Sequence, residues 1–196
     1  MILAQAWAIA QSEGAEALTA RRLASGIGYS PGTLYQVFEN LDDIVAQLKG
    51  RILDRLLEEL DAAPRTGEPG ADVERLVDVY LDFAAEHPRL WHALFELPLP
   101  GGSGLPDWLL ARIAAGLERV ERALVPYFAS ADSEDCRLAA RSIWAALHGI
   151  VALARNGRLD IAGGQPARAM AHHLVGAYLA GLGMAAAAQA SRKPGE

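Results

Sequence analysis

Between Thr19 and Phe38 the chain reads TARRLASGIGYSPGTLYQVF, a run dense in groups that recognise rather than react. Arg21 and Arg22 can neutralise phosphates or bond the O6 and N7 edge of a guanine. Thr19 and Ser30 stand where helices would begin. Free backbone N–H groups and the positive end of the helix dipole suit a phosphate there, and both residues would cap their helices in any case. Ser30, Pro31, Gly32 and Thr33, with Gln36 further along, are placed for base contacts, and Tyr29 just before them is a further candidate DNA-binding residue. Gly32 lets the backbone approach a duplex, and Pro31 and Thr33 can meet a thymine methyl. No nucleophile–base arrangement and no phosphate-cradling loop stands out elsewhere, so no catalytic chemistry is expected.

The elements that must hold these groups are two short helices and a tight turn. Thr19 caps the first, whose apolar positions are Leu23 and Ala24. Gly26 and Gly28 break it, and Gly28 can take the left-handed conformation a sharp turn needs. Ser30 caps the next helix with Pro31 in its first turn, where the missing N–H costs nothing. Leu34, Tyr35 and Phe38 share a face, with Leu34 and Phe38 as core. Two helices joined by a glycine-containing turn of this length form a helix-turn-helix, whose second helix can lie in the DNA major groove.

The stretch from Ile2 to Leu48 resembles the DNA-binding domain of TetR/AcrR-type transcriptional regulators. The resemblance rests on Ile2, Ala6 and Gly14, on Leu18-Thr19 and Leu23-Ala24, and on Gly28, Ser30, Gly32-Thr33-Leu34-Tyr35 and Phe38. It implies a phosphate contact through the Tyr35 hydroxyl. Its ring can be partly buried at the same time, because ring and hydroxyl serve separately. Members of that family often carry His where this chain has Val37 and Lys where it has Leu41, and commonly begin with a basic arm ahead of the first helix.

The rest of the chain is expected to be helical too, with no alternating β-branched runs. Helix one runs from Ile2 to Glu13. Helix four runs to about Ala62, capped by Asn40 and Asp42, with Ile44, Leu48, Ile52, Leu56 and Leu60 spaced four apart. Pro64 to Gly70 is a loop and a candidate boundary. Helices follow over about 71–86, 89–97, 107–128, 133–156 and 166–189. The fold class is therefore all-α, with about nine helices. A three-helix helix-turn-helix domain over 1–48 is followed by a larger helical ligand-binding and dimerisation bundle over 49–196.

That second region carries Tyr80, Phe83 and His87 at spacings of one helical face, then Trp91, Phe95 and Trp108, then Trp144 and His148 four apart. Such a set can line an apolar pocket with a few polar tips, the ordinary form of a small-molecule site, and it can equally be plain core. Trp144 to Gly149, WAALHG, resembles the Trp-x-x-x-His-Gly element of WHG-type ligand-binding domains in some TetR-like regulators. The resemblance implies a small hydrophobic or aromatic effector whose binding releases palindromic operator DNA. Helices eight and nine, the latter with Ala171, Val175, Tyr178, Leu179, Leu182 and Ala186, offer faces for a homodimer with two recognition helices one DNA turn apart. The same Ala- and Gly-rich faces could pack within one chain instead.

Charge and composition limit these readings. Net charge is −6, and residues 1–48 set two arginines against five carboxylates, which argues against indiscriminate nucleic-acid binding. An alternative is a helical small-molecule-binding protein of the same fold with DNA binding weakened or lost. No cofactor is expected, and no metal, since His172 and His173 are adjacent and lack a carboxylate at ligand spacing. The one cysteine, Cys136, reads as a small buried hydrophobe and fits a reducing cytoplasm. MILAQAWAIAQ has no positively charged flank and is not expected to be a secretory signal. The uncharged run 174–190 is too Ala- and Gly-rich for a membrane span.

Overall fold

The computed structural model describes residues 1–102, 104–128, 130 and 133–190. Among these there are nine α-helices and no strand. They are α1 (Ile2–Glu13), α2 (Ala20–Gly26), α3 (Pro31–Leu34), α4 (Leu41–Ala62), α5 (Pro69–Glu86), α6 (Pro88–Phe95), α7 (Asp107–Leu124), α8 (Glu134–Arg155) and α9 (Ala167–Ala190). Short 3-10 turns occupy Ala15–Ala17, Val125–Tyr127 and Leu159–Ala162. The helix expected to reach Phe128 stops at Leu124, where Pro126 leaves no N–H for an α-helical bond and the chain tightens into the second 3-10 turn.

The chain forms two compact units. The first comprises Met1–Glu59 and Asp82–Ala114, and the second Leu60–Leu81 and Ala115–Glu196. In the first, Ala6, Ile9 and Ala10 of α1, Leu23 and Ala24 of α2 and Leu34 of α3 are buried, α2 contacts both α1 and α3, and Ile44, Leu48 and Ile52 of α4 are fully buried. The α4 stripe keeps its four-residue period as far as Leu56. Gly50 on α4 is required by a close pass: a Cβ there would lie 2.8 Å from the Trp108 ring. Arg112 sits 5.4 Å over that ring and pairs with Asp54 at 2.8 Å, so Trp108 is held against α4.

In the second unit Cys136, Ala139, Ala140, Ile143, Leu147, Ile150 and Val151 form the buried face of α8, packed against α9 through Ala171, Val175 and Leu179. Among the described residues α8 has the length and apolarity of a membrane span by composition alone, and this packing accounts for its apolar face. Asp61 and Arg119 form a paired hydrogen bond at 2.7 and 2.5 Å. That bond holds the Asp61 carboxyl below the usual range and raises the guanidinium. The loop over 63–68 is ordered by Asp72, which accepts from the Thr66 backbone (2.6 Å) and hydroxyl (2.8 Å).

The capping of α4 differs from expectation. Asn40 caps it, accepting from Asp43 N–H at 2.9 Å. The other half of the cap is Asp43, which accepts from Glu39 N–H at 3.2 Å. Asp42 instead reaches the distant chain and accepts from Gly101 N–H at 2.7 Å.

Candidate nucleic-acid interface

Helix α2 begins as its sequence demands. Thr19 is extended (φ −133°) and its hydroxyl accepts from Arg22 N–H at 3.2 Å. The turn after α2 closes with two bonds, Tyr29 N–H to Ala24 at 2.9 Å and Gly28 N–H to Ser25 at 3.2 Å. Gly28 has φ +75°. This is the left-handed glycine cap that reverses the chain in a short distance, and it points the next segment away from α2.

Helix α3 is shorter than its pattern suggests. It is a single turn over Pro31–Leu34, followed by turns closed from Gln36, Val37 and Phe38 N–H groups. Gly32, Thr33 and Val37 are weak helix formers, and the cap of α4 claims the chain from Glu39. Tyr35 is therefore the C-cap of α3 and Gln36 lies beyond it. Ser30 occupies the N-cap position without bonding a helix N–H. Its hydroxyl lies 3.2 Å from that of Thr33, so one donates to the other and the remaining O–H and lone pairs stay available at the front of the helix.

Exposure sorts these residues by role. Leu34 is buried and anchors α3, and Phe38 is half-buried. Thr19, Arg21, Arg22, Tyr29, Ser30, Pro31, Gly32, Tyr35 and Gln36 are exposed, with Thr33 half-buried among them. Val37 is 70% exposed, an apolar side chain where a phosphate ligand would be useful. Thr19, Arg21 and Arg22 also line a cleft of about 530 Å³ with Gln5, Ile9, Glu13 and Ser25. Arg22 pairs there with Glu13 of α1, a contact between separate helices that the sequence reading missed. It halves the cationic groups standing free on this surface.

The aromatic set falls in both units. In the first, Phe83 and Trp91 are fully buried. Phe83 meets His87 edge-on at 5.3 Å, and Trp91 meets Phe95 at 5.4 Å. Trp108 is the residue held over Gly50. In the second, the buried Tyr80 hydroxyl lies 3.1 Å from His148 Nδ1, and Trp144 stands 5.4 Å from the His148 ring. His148 is thus a hydrogen-bonded histidine inside a helix bundle. His172, expected to lack carboxylates, has two from α5, Asp78 at 3.0 Å and Glu74 at 3.7 Å. They approach opposite ring nitrogens, which ties α9 to α5 and does not chelate an ion. Among the described residues no group of three or more His, Cys, Asp or Glu could hold a metal.

Residues 2–48 match the description "Bacterial regulatory proteins, tetR family", and residues 73–178 match "Tetracyclin repressor-like, C-terminal domain". The chain belongs to the TetR family. Membership places it among transcriptional regulators and outside the enzyme classes. This TetR-family chain is similar to an uncharacterised helix-turn-helix-type transcriptional regulator of Mycobacterium tuberculosis, at 28% identity over 148 residues. That match spans 76% of this chain and 66% of the relative, just under two thirds of its length. Among solved structures it is similar to a protein with unknown function from Rhodococcus sp. RHA1 (TM-score 0.74, 23% identity, 93% of each chain). It is also similar to the TetR family transcriptional regulator PfmR of Thermus thermophilus (TM-score 0.59, 20% identity, 91% of this chain and 96% of that one). At these identities the solved structures show a shared fold.

Proposed function

We propose that this regulator is a cytoplasmic, dimeric repressor that binds a palindromic operator and leaves it when a small hydrophobic or aromatic effector is bound. The functional division would be 1–48 for DNA and 49–196 for effector and dimer. The observation that carries the reading is the exposed front of α3, with Tyr29 to Thr33 and Tyr35 to Gln36 presented on a turn fixed by Gly28. Thr19, Arg21 and Arg22 supply phosphate contacts, the Tyr35 hydroxyl adds another, and Ser30 to Thr33 with Gln36 read base edges. The candidate effector contacts are Tyr80, Trp144 and His148 in the second unit; Phe83, His87, Trp91, Phe95 and Trp108, expected with them, belong to the first unit. A groove of about 590 Å³ between α8 and α9, lined by Ser142, Ile143, Ala146, His173, Leu174, Ala177 and Tyr178, supports a homodimer through those helices.

Gel-shift titration against a duplex selected from a random pool tests the DNA contacts. Tyr35→Ala and Arg22→Ala should abolish binding, and unchanged affinity of both would refute the assignment. A second reading, a small-molecule-binding protein with weakened DNA binding, is favoured by one specific contact. Arg22 is tied to Glu13, so binding a phosphate requires breaking an ion pair first. Failure of the wild type to enrich any duplex would favour that reading.

A further inference from the structure

Helix α6 is fastened at both ends, and each fastening is a cation on the terminal carbonyls of a helix other than its own. At its start, Arg89 donates to the carbonyls of Ser12 (2.7 Å) and Gln11 (3.3 Å), in the last turn of α1. The last turn of α1 has no basic residue of its own. One turn further along α6, His92 places Nε2 2.6 Å from Glu16 and Nδ1 2.6 Å from Glu96. At the far end, Lys49 of α4 donates to the carbonyls of Ala93 (2.5 Å), Leu94 (3.1 Å) and Leu97 (2.7 Å). Those carbonyls are at or just beyond the C-terminal turn of α6, where helix groups lack partners and the dipole is negative.

Lys49 is 2% exposed, and its three ammonium donors meet three carbonyl acceptors. A methionine would fill similar space without the cost of burying a charge. What the lysine adds is direction. Three bonds from one nitrogen fix both the axial and the rotational setting of α4 on α6. Lys49 also lies one residue beyond Leu48, where the helix-turn-helix match ends. The bond therefore links the end of the DNA-binding module to the C-terminal region, while Arg89 links the same helix to the module's first element.

We propose that Lys49 is a positioning residue that locks α4 to the end of α6, and that with Arg89 it makes α6 the clamp setting the direction of the helix-turn-helix module. Its effect on DNA rests on the proposed operator binding; the clamp itself does not. Hydrogen–deuterium exchange of the full chain tests it for wild type, Lys49→Met and Lys49→Arg, at a temperature where circular dichroism shows all three folded. In Lys49→Met, amides of 41–52 and 88–97 should exchange about tenfold faster, as expected for a lost charge-assisted bond, while those of 134–190 stay unchanged. Lys49→Arg should recover most of the protection. Unchanged exchange, or uniform acceleration throughout the chain, overturns the clamp. If Lys49→Met does not fold, Arg89→Met serves, with faster exchange expected over 2–13 and 88–97 and the same overturning results. On a duplex selected by the wild type, Lys49→Met should shift affinity about tenfold, and equal affinity overturns the claim about direction. A wild type that selects no duplex overturns operator binding instead, and the exchange data still decide the clamp.

Discussion

Replacing Lys49 by methionine should remove a specific pH dependence from the stability of the fold. Burial lowers the Lys49 pKa from 10.5 to about 8. The folded state therefore disfavours the ammonium relative to the unfolded chain. Below pH 8 both states hold the proton and the full penalty is present. As pH rises from 8 towards 10.5 the folded state releases its proton first, so the penalty is lifted and stability rises. The full shift corresponds to about 3 kcal/mol, most of which accumulates between pH 7 and pH 10. Other groups titrate in that range in both proteins, so the quantity to follow is the difference between wild type and Lys49→Met. Urea unfolding at pH 7, 8, 9 and 10 should show the wild type gaining on the variant by about that amount. Parallel pH profiles, or a wild type that loses ground with rising pH, would refute the argument that an ammonium is buried on the α6 carbonyls.

Three further outcomes follow from particular contacts. Gly28→Ala forces a Cβ into φ +75°, which should cost about 1 kcal/mol and lower the melting temperature by roughly 2–4 °C in calorimetry. Glu13→Gln releases Arg22 and removes a negative charge from the candidate DNA surface; affinity for a selected duplex should rise about fivefold in a gel shift, and a weaker complex would contradict the contact. Cys136 is buried and its thiol is pushed above the ordinary range by burial. A chromogenic disulfide reagent should therefore react with it only when denaturant opens the fold.

The helix-turn-helix was legible because its determinants are local. Thr19 caps within three residues, Gly28 reverses the chain within one turn, and Leu34 lies on the buried side of a helix that Pro31 starts. The extent of α3 was less legible, since its single turn is set by competition with the cap of α4, where Asn40 and Asp43 act together. What the sequence concealed are bonds between residues far apart in the chain. Arg22 looks free until Glu13 is placed beside it, Asp42 looks like a helix cap until Gly101 comes near, and His172 lacks carboxylates until α5 supplies them. Lys49 did leave a trace, as one of only two lysines in the chain, set between the buried positions Leu48 and Ile52. Its carbonyl partners lie more than forty residues away, beyond what helical periodicity can report. The aromatic residues were legible as buried, but periodicity does not separate a core from a pocket.

The most direct test of the central claim is selection from a random duplex pool by the full-length protein, followed by footprinting of the enriched duplex. The account predicts a palindrome bound by two chains, with half-sites about 10 base pairs apart and protection lost in Tyr35→Ala. A pool that shows no enrichment, or an enriched site that Tyr35→Ala protects as well as the wild type, would contradict it.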